Sequence, residues 1–248
     1  MKNIFKYKIF EAKTQNIILC VSLSFILLIV GMPTSAQVGL RRNDFSLGCN
    51  VGTTLTQMNF EPKINQSYKI NPTFGLTARY ICEKYFTTIC GVQAKLNYAN
   101  LGWKENIEDG SGNTYHRDLS YLQIPLLMQM GWGYEKKGCK FLFEAGPQIG
   151  INLGSTESYG GAWNTDNRPS HVIEQYGLNV KNKFDYGITG GFGMELSTNI
   201  GHFLLEARYY YGLGDVFDNS KKGDFARSAH QTISARFTYL FDIVKTKQ

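Results

Sequence analysis

The 248-residue chain lacks several features that other classes of protein depend on. Beyond residue 30 it has no run of ~18 consecutive apolar residues, which excludes a helical membrane protein. It also lacks a strong excess of positive charge. Lys and Arg exceed Asp and Glu by six, and by three (22 against 19) once residues 1–36 are set aside. No basic stripe stands out, so no nucleic-acid partner is expected.

Cysteine is scarce as well. Of the five, Cys20 lies in the N-terminal segment, and the spacing of Cys49, Cys82, Cys90 and Cys139 fits no zinc site. No metal or cofactor is therefore expected. An even count in an exported chain keeps disulfides open, but most of these thiols fall on apolar strand faces, where cysteine behaves as a small hydrophobe. Free thiols are favoured.

The N-terminus has the pattern of a secretory signal peptide. Four lysines precede an apolar run over residues 17–30, and small residues lead to a cleavage site after Ala36. The alternative, a permanent helical anchor, is disfavoured because the run is short for a bilayer. Gln37 rather than Cys follows the site, so no lipoprotein is indicated. We therefore assign residues 1–36 to the signal peptide and residues 37–248 to one barrel domain, with strands between about 44 and 243.

What the remaining sequence does contain is alternation of apolar and polar residues, typical of half-buried strands. It predicts eight strands, at 44–57, 72–82 and 85–101, two within 120–154, and at 183–197, 202–213 and 230–243. Pro125 and Pro147 fall inside strands, and because proline cannot donate to a ladder, a bulge or locally broken pairing is expected at each.

The connections between these strands alternate in length. They are short after the second, fourth and sixth strands ("EK", "YEKKGC", "TNIG") and long and polar after the odd-numbered strands. Short periplasmic turns and long extracellular loops are typical of an outer-membrane barrel, and aromatic residues gather at both ends of the strands. The prediction is an all-β, eight-stranded antiparallel up-and-down transmembrane barrel in the outer membrane of a Gram-negative bacterium, surrounded by lipid. A soluble lipocalin-like ligand carrier with reversed faces would have to expose the apolar face of every strand.

The polar face carries a balanced set of charges. Four cations and four anions are predicted to face the lumen: Arg79, Lys95, Arg208 and Arg236, with Glu144, Asp185, Glu195 and Glu206. They could form an ion path. The favoured interpretation is a structural ion-pair plug, because the interior of an eight-stranded barrel is just wide enough for side chains and buried charges must pair. Lys95 and Asp185 are expected nearer the outer mouth than the other six.

The longest loop, 154–182, supplies the other candidate site. Tyr159, Trp163 and Tyr176 lie there among small polar residues, a composition that suits recognition of a partner or glycan. A loop that folds over its own barrel mouth explains the same residues equally well.

Catalytic residues are not evident. The four histidines, at positions 116, 171, 202 and 230, fall in loops or near strand ends, and "SYGGAW" with "RPSHVIEQ" offers only a weak basis for a Ser-His-carboxylate triad. We therefore expect no enzyme and no catalytic residues.

Four segments carry a resemblance to a known family. "YLQIPLLMQM", "EAGPQIGINLG", "FDYGITGGFGMEL" and "EARYYYGLGDVFDN" resemble, in the same order, recurring segments of the PorT-like outer-membrane β-barrel family of Bacteroidetes. The resemblance extends over residues 44–243 and implies a small outer-membrane barrel. It also implies kinship with a namesake subgroup of type IX secretion and gliding machinery, although no motif singles out that subgroup.

Three classes of function follow. The favoured one is a non-enzymatic surface or assembly protein that binds other envelope or secretion-system proteins. The alternatives are a small passive pore and a lipid-modifying outer-membrane enzyme.

Overall fold

A computed structural model describes residues 39–134, 137–165, 168–217, 219 and 225–246. The predicted signal peptide, residues 1–36, lies outside the described residues. The elements are β1 Leu40–Glu61, β2 Gln66–Ser67, β3 Lys69–Tyr85, β4 Thr88–Glu105, β5 Thr114–Gly133, β6 Gly138–Gly160, α1 Ser170–Ile173, β7 Phe184–Ser197, β8 His202–Gly212 and β9 Arg227–Val244.

Eight long strands close into a ring. Each is antiparallel to its neighbours, in the order β4-β3-β1-β9-β8-β7-β6-β5, and pairing of β5 with β4 closes the circle. The two-residue β2 pairs only with the end of β4. The predicted eight-stranded up-and-down barrel is therefore confirmed, and β2 and α1 are small additions within its loops.

Side chains alternate between the outside and the lumen along each long strand. Outward apolar residues such as Phe192 and Met128 are 70% and 66% exposed, whereas inward polar residues such as Gln123 and Thr238 are buried. An apolar outer wall around a polar interior is the arrangement that a lipid environment requires, because closure leaves no strand edge unpaired in hydrocarbon.

The two prolines interrupt pairing without shifting the register. The β5–β6 ladder runs to Pro125↔Gln148 and resumes at Met128↔Ala145 in the same register, and the β4–β5 ladder likewise skips the residues opposite Pro125. Locally broken pairing was predicted here, and it occurs because proline has no N–H to donate. The alternative of a bulge at these positions was wrong.

Several strands extend further than the alternation predicted. The turn after β3 lies at Phe86–Thr87 rather than at 83–84, with Phe86 in the left-handed region at φ 53°. β4 and β5 continue through most of the loop that the sequence predicts between the third and fourth strands. β5 and β6 remain paired as far as Thr114↔Gly160. This hairpin therefore rises beyond the last pair of β6 with β7, at Ile151↔Phe184.

Among the described residues, no helix is long and apolar enough to cross a membrane. Cys49, Cys82, Cys90 and Cys139 are free thiols in the structure.

Candidate functional site

A buried carboxylate organises the periplasmic part of the lumen. Glu195, on β7, forms ion pairs with Arg79 of β3, at 2.6 Å, and with Lys140 of β6, at 2.8 Å. All three side chains are almost completely buried. Because a carboxylate away from water is stable only when it is paired, this arrangement satisfies a charge that would otherwise be costly.

A second carboxylate forms a similar centre across the barrel. Lys95 of β4 places Nζ 2.5 Å and 2.7 Å from the two oxygens of Glu206 on β8, and Thr238 donates a hydrogen bond to Glu206 at 2.7 Å. Nearby, Arg208 lies 3.3 Å from Glu144. The placement predicted for Lys95, nearer the outer mouth than its partners, was wrong, because its long side chain reaches across the lumen to Glu206.

Two predicted members of the ion-pair plug stand apart. Asp185 accepts a hydrogen bond from the Tyr210 hydroxyl at 2.8 Å, and its Oδ1 has no hydrogen-bond partner among the described residues. Arg236 lies opposite Glu206 in the β8–β9 register, but its Nε and Nη1 have no such partner within that part of the chain. Lys95 already pairs with the Glu206 carboxylate. The predicted pairing of four cations with four anions is therefore wrong for Asp185 and Arg236.

Sequence reasoning missed the periplasmic end of the plug. Lys140 lies four residues before Glu144 in the same inward phase, so alternation could have identified it. His202 and Asp242 also point inward and border a cavity of about 410 Å³ at the periplasmic mouth. The Nδ1 of His202 lies 2.6 Å from Glu195, and its Nε2 lies 3.1 Å from Asp242.

The same histidine lies close to a serine, in an arrangement that superficially suggests a triad. Ser197 Oγ is 3.1 Å from His202 Nδ1, but it also donates to Glu195 Oε1 at 3.2 Å. Both ring nitrogens of His202 lie within hydrogen-bond distance of carboxylates, which only accept, so each nitrogen carries a hydrogen and donates a hydrogen bond. The ring then has no free lone pair with which to act as a general base toward Ser197.

The extracellular part of the lumen is apolar, which the sequence did not reveal. Toward the extracellular end of the strands, the inward-facing residues change from polar to aromatic and aliphatic. The strand extensions place these apolar residues inside the barrel. A buried cluster results, which we call the cap: Met58, Phe60, Ile64, Ala99, Leu101, Trp103, Tyr115, Leu119, Tyr121, Val216, Phe217 and Phe225. The guanidinium of Arg117 lies 5.2 Å from the Phe217 ring, and Arg117 pairs with Glu157 at 2.6 Å.

The long loop after β6 is hydrogen-bonded to the cap. The indole N–H of the fully buried Trp103 donates to Gln175 at 2.9 Å, and Gln175 donates in turn to Glu105 at 2.9 Å. The Tyr176 hydroxyl also donates to Glu105, at 2.7 Å. Burial, reinforced by this hydrogen bond, raises the pKa of Tyr176 far above its ordinary value. The loop therefore closes over the mouth of the barrel.

The three residues predicted for recognition are brought together. The Tyr159 and Trp163 rings lie 4.6 Å apart, and the Trp163 and Tyr176 rings lie 5.0 Å apart. Arg168 lies 4.5 Å above Trp163. Trp163 and Tyr176 pack against the cap, whereas Tyr159, which is on β6 rather than in the loop, remains 46% exposed.

No group of three or more His, Cys, Asp or Glu side chains suited to a metal ion occurs in the described part of the chain. Three histidines remain besides His202, of which His116 lies on β5 with its Nε2 3.9 Å from Asp118. His230 is buried against the Tyr121 ring at 5.0 Å, and His171 belongs to the short α1.

Solved structures similar to this chain are small outer-membrane barrels. The outer membrane protein OprG from Pseudomonas aeruginosa is 14% identical, with 82% of this chain and 96% of that chain covered and a TM-score of 0.48. Neisserial surface protein A is 12% identical over 79% and 97%, with a TM-score of 0.40. The attachment invasion locus protein Ail of Yersinia pestis, in complex with the heparin analogue sucrose octasulfate, is 12% identical over 80% and 99%, with a TM-score of 0.37.

No curated protein matches the chain. A family model described as outer membrane protein beta-barrel domain matches residues 35–218, which is most of the sequence. With the closed barrel and its apolar outer wall, this match places the protein in the outer membrane of a Gram-negative bacterium, and the chain belongs to the outer membrane protein beta-barrel domain family.

Proposed function

We propose that this barrel is a non-enzymatic surface or assembly protein that acts by binding other proteins of the envelope. The observation that carries the proposal is the filled lumen. Side chains of the ion-pair plug occupy the periplasmic half, and those of the cap occupy the extracellular half. A barrel closed at both levels offers its loops, rims and turns for function rather than a passage.

The filling argues against the pore alternative. Arg79, Lys95 and Trp103 are each at most 2% exposed, although all three point into the interior of the barrel. Eight strands enclose only enough space for such side chains, whereas aqueous channels are found in barrels of about 16 strands. The cap also places buried aromatic rings across the route that water or ions would take.

The enzyme alternative lacks a suitable base. His202, the histidine that lies closest to a serine in the described lumen, is held between two carboxylates. Ser197 is itself buried and donates to Glu195. A lipid substrate would also have to reach the interior of a barrel whose wall is closed.

The resemblance to the PorT-like family of Bacteroidetes supports an envelope partner, with a secretion or gliding complex as the first to examine. Outer-membrane lipid around the apolar wall and export through the predicted signal peptide belong to the same proposal.

Site-specific photocrosslinking in intact outer membranes tests it. A photoreactive residue at Thr156, on the extracellular part of β6, or at Thr87, in a periplasmic turn, is expected to give at least one discrete protein adduct. The same residue at Leu126, on the lipid-facing wall, serves as the control and should give only lipid adducts. Protein adducts that are absent from both test positions, or present equally at all three, would contradict the proposal.

A further inference from the structure

The extracellular end of β6 is an open strand edge. Residues 154–160 pair with β5 on one side, from Ser120↔Gly154 to Thr114↔Gly160, and Leu153 is the unpaired residue at the register shift below them. On the other side, the pairing of β6 with β7 ends at Ile151↔Phe184, followed by a single bond from the Asn152 N–H to the Lys183 carbonyl. Eight residues, roughly 26 Å of strand, therefore extend beyond their neighbour.

The loop that follows β6 does not complete this edge. It contacts β6 through side chains on the inner face: the Gly177 N–H donates to the Glu157 carboxylate at 3.0 Å, and Arg117 bridges Ser155, Glu157 and the Leu178 carbonyl. Among the described residues, no main-chain bond joins residues 153–160 to anything but β5. Gly154, Ser155 and Thr156 are exposed.

An unpaired edge presents a row of N–H and C=O groups that favours a further strand. Natural proteins usually block such an edge with lysine, proline, a bulge or a covering segment. The sequence here, "LGSTESYG", has neither lysine nor proline and carries small outward side chains. The one irregularity is the register shift opposite Ser120/Tyr121, at the base of the edge.

We propose that residues 153–160 bind an extended segment of another polypeptide by antiparallel β-strand addition at the cell surface. This inference rests on the proposed function, because it names the kind of partner and the mode by which a surface protein would bind it. Main-chain hydrogen bonds supply the affinity, and the side chains on the two faces of the strand supply selectivity.

A second copy of the chain does not fit this edge. All copies insert with the same end toward the periplasm, so a two-fold axis along the membrane normal leaves both β6 strands running outward. Strands tilted by about 35–45° then cross instead of lying side by side, and an antiparallel ladder cannot form. The partner is therefore a segment whose chain direction is free.

The inner face of the edge adds a preference for aromatic or apolar side chains. Tyr159 is half exposed and lies beside Trp163, so a partner residue at that level would meet two rings. Two residues away, Glu157 already pairs with Arg117 and accepts a hydrogen bond from Gly177, so it adds no demand for a charged partner side chain. On β5 the same cross-strand positions hold Tyr115 and Arg117.

The β5 sequence therefore supplies the probe. A peptide with blocked ends and the sequence TYHRDLS, residues 114–120, is titrated against the purified full barrel in lipid nanodiscs. Two further peptides carry N-methyl groups on alternate amides, so that each removes the donors of one edge. Strand addition predicts that one methylated peptide binds like the parent, while the other loses about tenfold or more in affinity, because several hydrogen bonds disappear together.

Proline variants locate the binding on the protein. Adjacent strand residues direct their N–H groups to opposite edges of the strand. Only one of Ser155→Pro and Thr156→Pro should therefore remove an N–H that points to the open edge, and that variant should weaken peptide binding while the β5 ladder stays intact. Amide hydrogen exchange reports on that ladder. The proposal would be overturned if the two methylated peptides bind equally or if the parent peptide does not bind. It would also be overturned if the amides that point to the open edge exchange slowly in the free protein. The peptide results do not depend on ionic conductance through the barrel. A conducting barrel would therefore contradict the proposed function even if the peptide binds.

Discussion

At the scale of single residues, the lumen shows that position in the register does not by itself determine which charges pair. Arg236 faces Glu206 directly across β8 and β9, yet Lys95 reaches Glu206 from the far side of the barrel. The length and freedom of the lysine side chain decide the outcome. Buried charge in this barrel therefore depends on partners across the lumen as well as on register partners, such as Lys140 and Glu195 on the adjacent β6 and β7.

A pair of substitutions tests this assignment. Lys95→Met should strand the Glu206 carboxylate and lower the free energy of unfolding by about 3–5 kcal/mol, the usual cost of removing one partner of a buried pair. Arg236→Met should cost clearly less, because that guanidinium leaves two buried nitrogens without partners. Urea unfolding in lipid vesicles, followed by tryptophan fluorescence, measures both.

The double variant Lys95→Met with Glu206→Gln provides the control, since neutralising the stranded carboxylate should restore part of the loss. If Arg236→Met is as destabilising as Lys95→Met, the pairing described here is wrong.

At the scale of elements, one buried amide, that of Gln175, links the loop after β6 to two residues of β4, Trp103 and Glu105. Gln175→Ala would leave the indole N–H of Trp103 without its acceptor and remove a donor from Glu105, at a cost of about 1–3 kcal/mol. We expect faster amide exchange over residues 170–180, with the strands unaffected. The neighbouring Glu174→Ala, at an exposed position, should leave exchange unchanged. Equal exchange in the two variants would argue against closure of the mouth by this loop.

The strands and loops also show how much of the fold could be predicted from the sequence. Alternation predicted the eight strands, and the two prolines predicted where pairing is broken. It did not predict the extracellular extensions, because "GWKENIEDG" and "GSTESYGG" contain the glycines and polar residues expected of loops. Nor did it reveal the cap, because Leu101 is the last residue of the predicted third strand and Trp103 lies beyond it, where the inward-facing residues change from polar to apolar. Tyr159 was assigned to a loop for the same reason.

For the plug, alternation identified inward residues but not their partners. Which cation reaches which carboxylate depends on distances across the lumen, and these are fixed by barrel closure rather than by sequence spacing. Lys140 and His202 complete the site around Glu195, and although alternation could have identified Lys140 as inward-facing, their contacts with Glu195 follow from the arrangement of the strands around the lumen.

At the scale of the whole molecule, the barrel combines an apolar outer wall, a lumen filled with charged side chains that are mostly paired, and a hydrophobic cap. Its surface above the membrane is uneven, since the β5–β6 hairpin rises past β7 and leaves one edge open. Function is then expected at the ends of the barrel rather than through it.

Conductance across a planar bilayer tests this central claim most directly. Purified barrel inserted into lipid is expected to give no stable open-channel current, while a 16-stranded porin reconstituted in parallel confirms that the assay detects pores. Correct insertion is verified by protease protection of the strands. Stable, reproducible conductance steps from the wild-type protein would contradict the closed lumen and favour the pore.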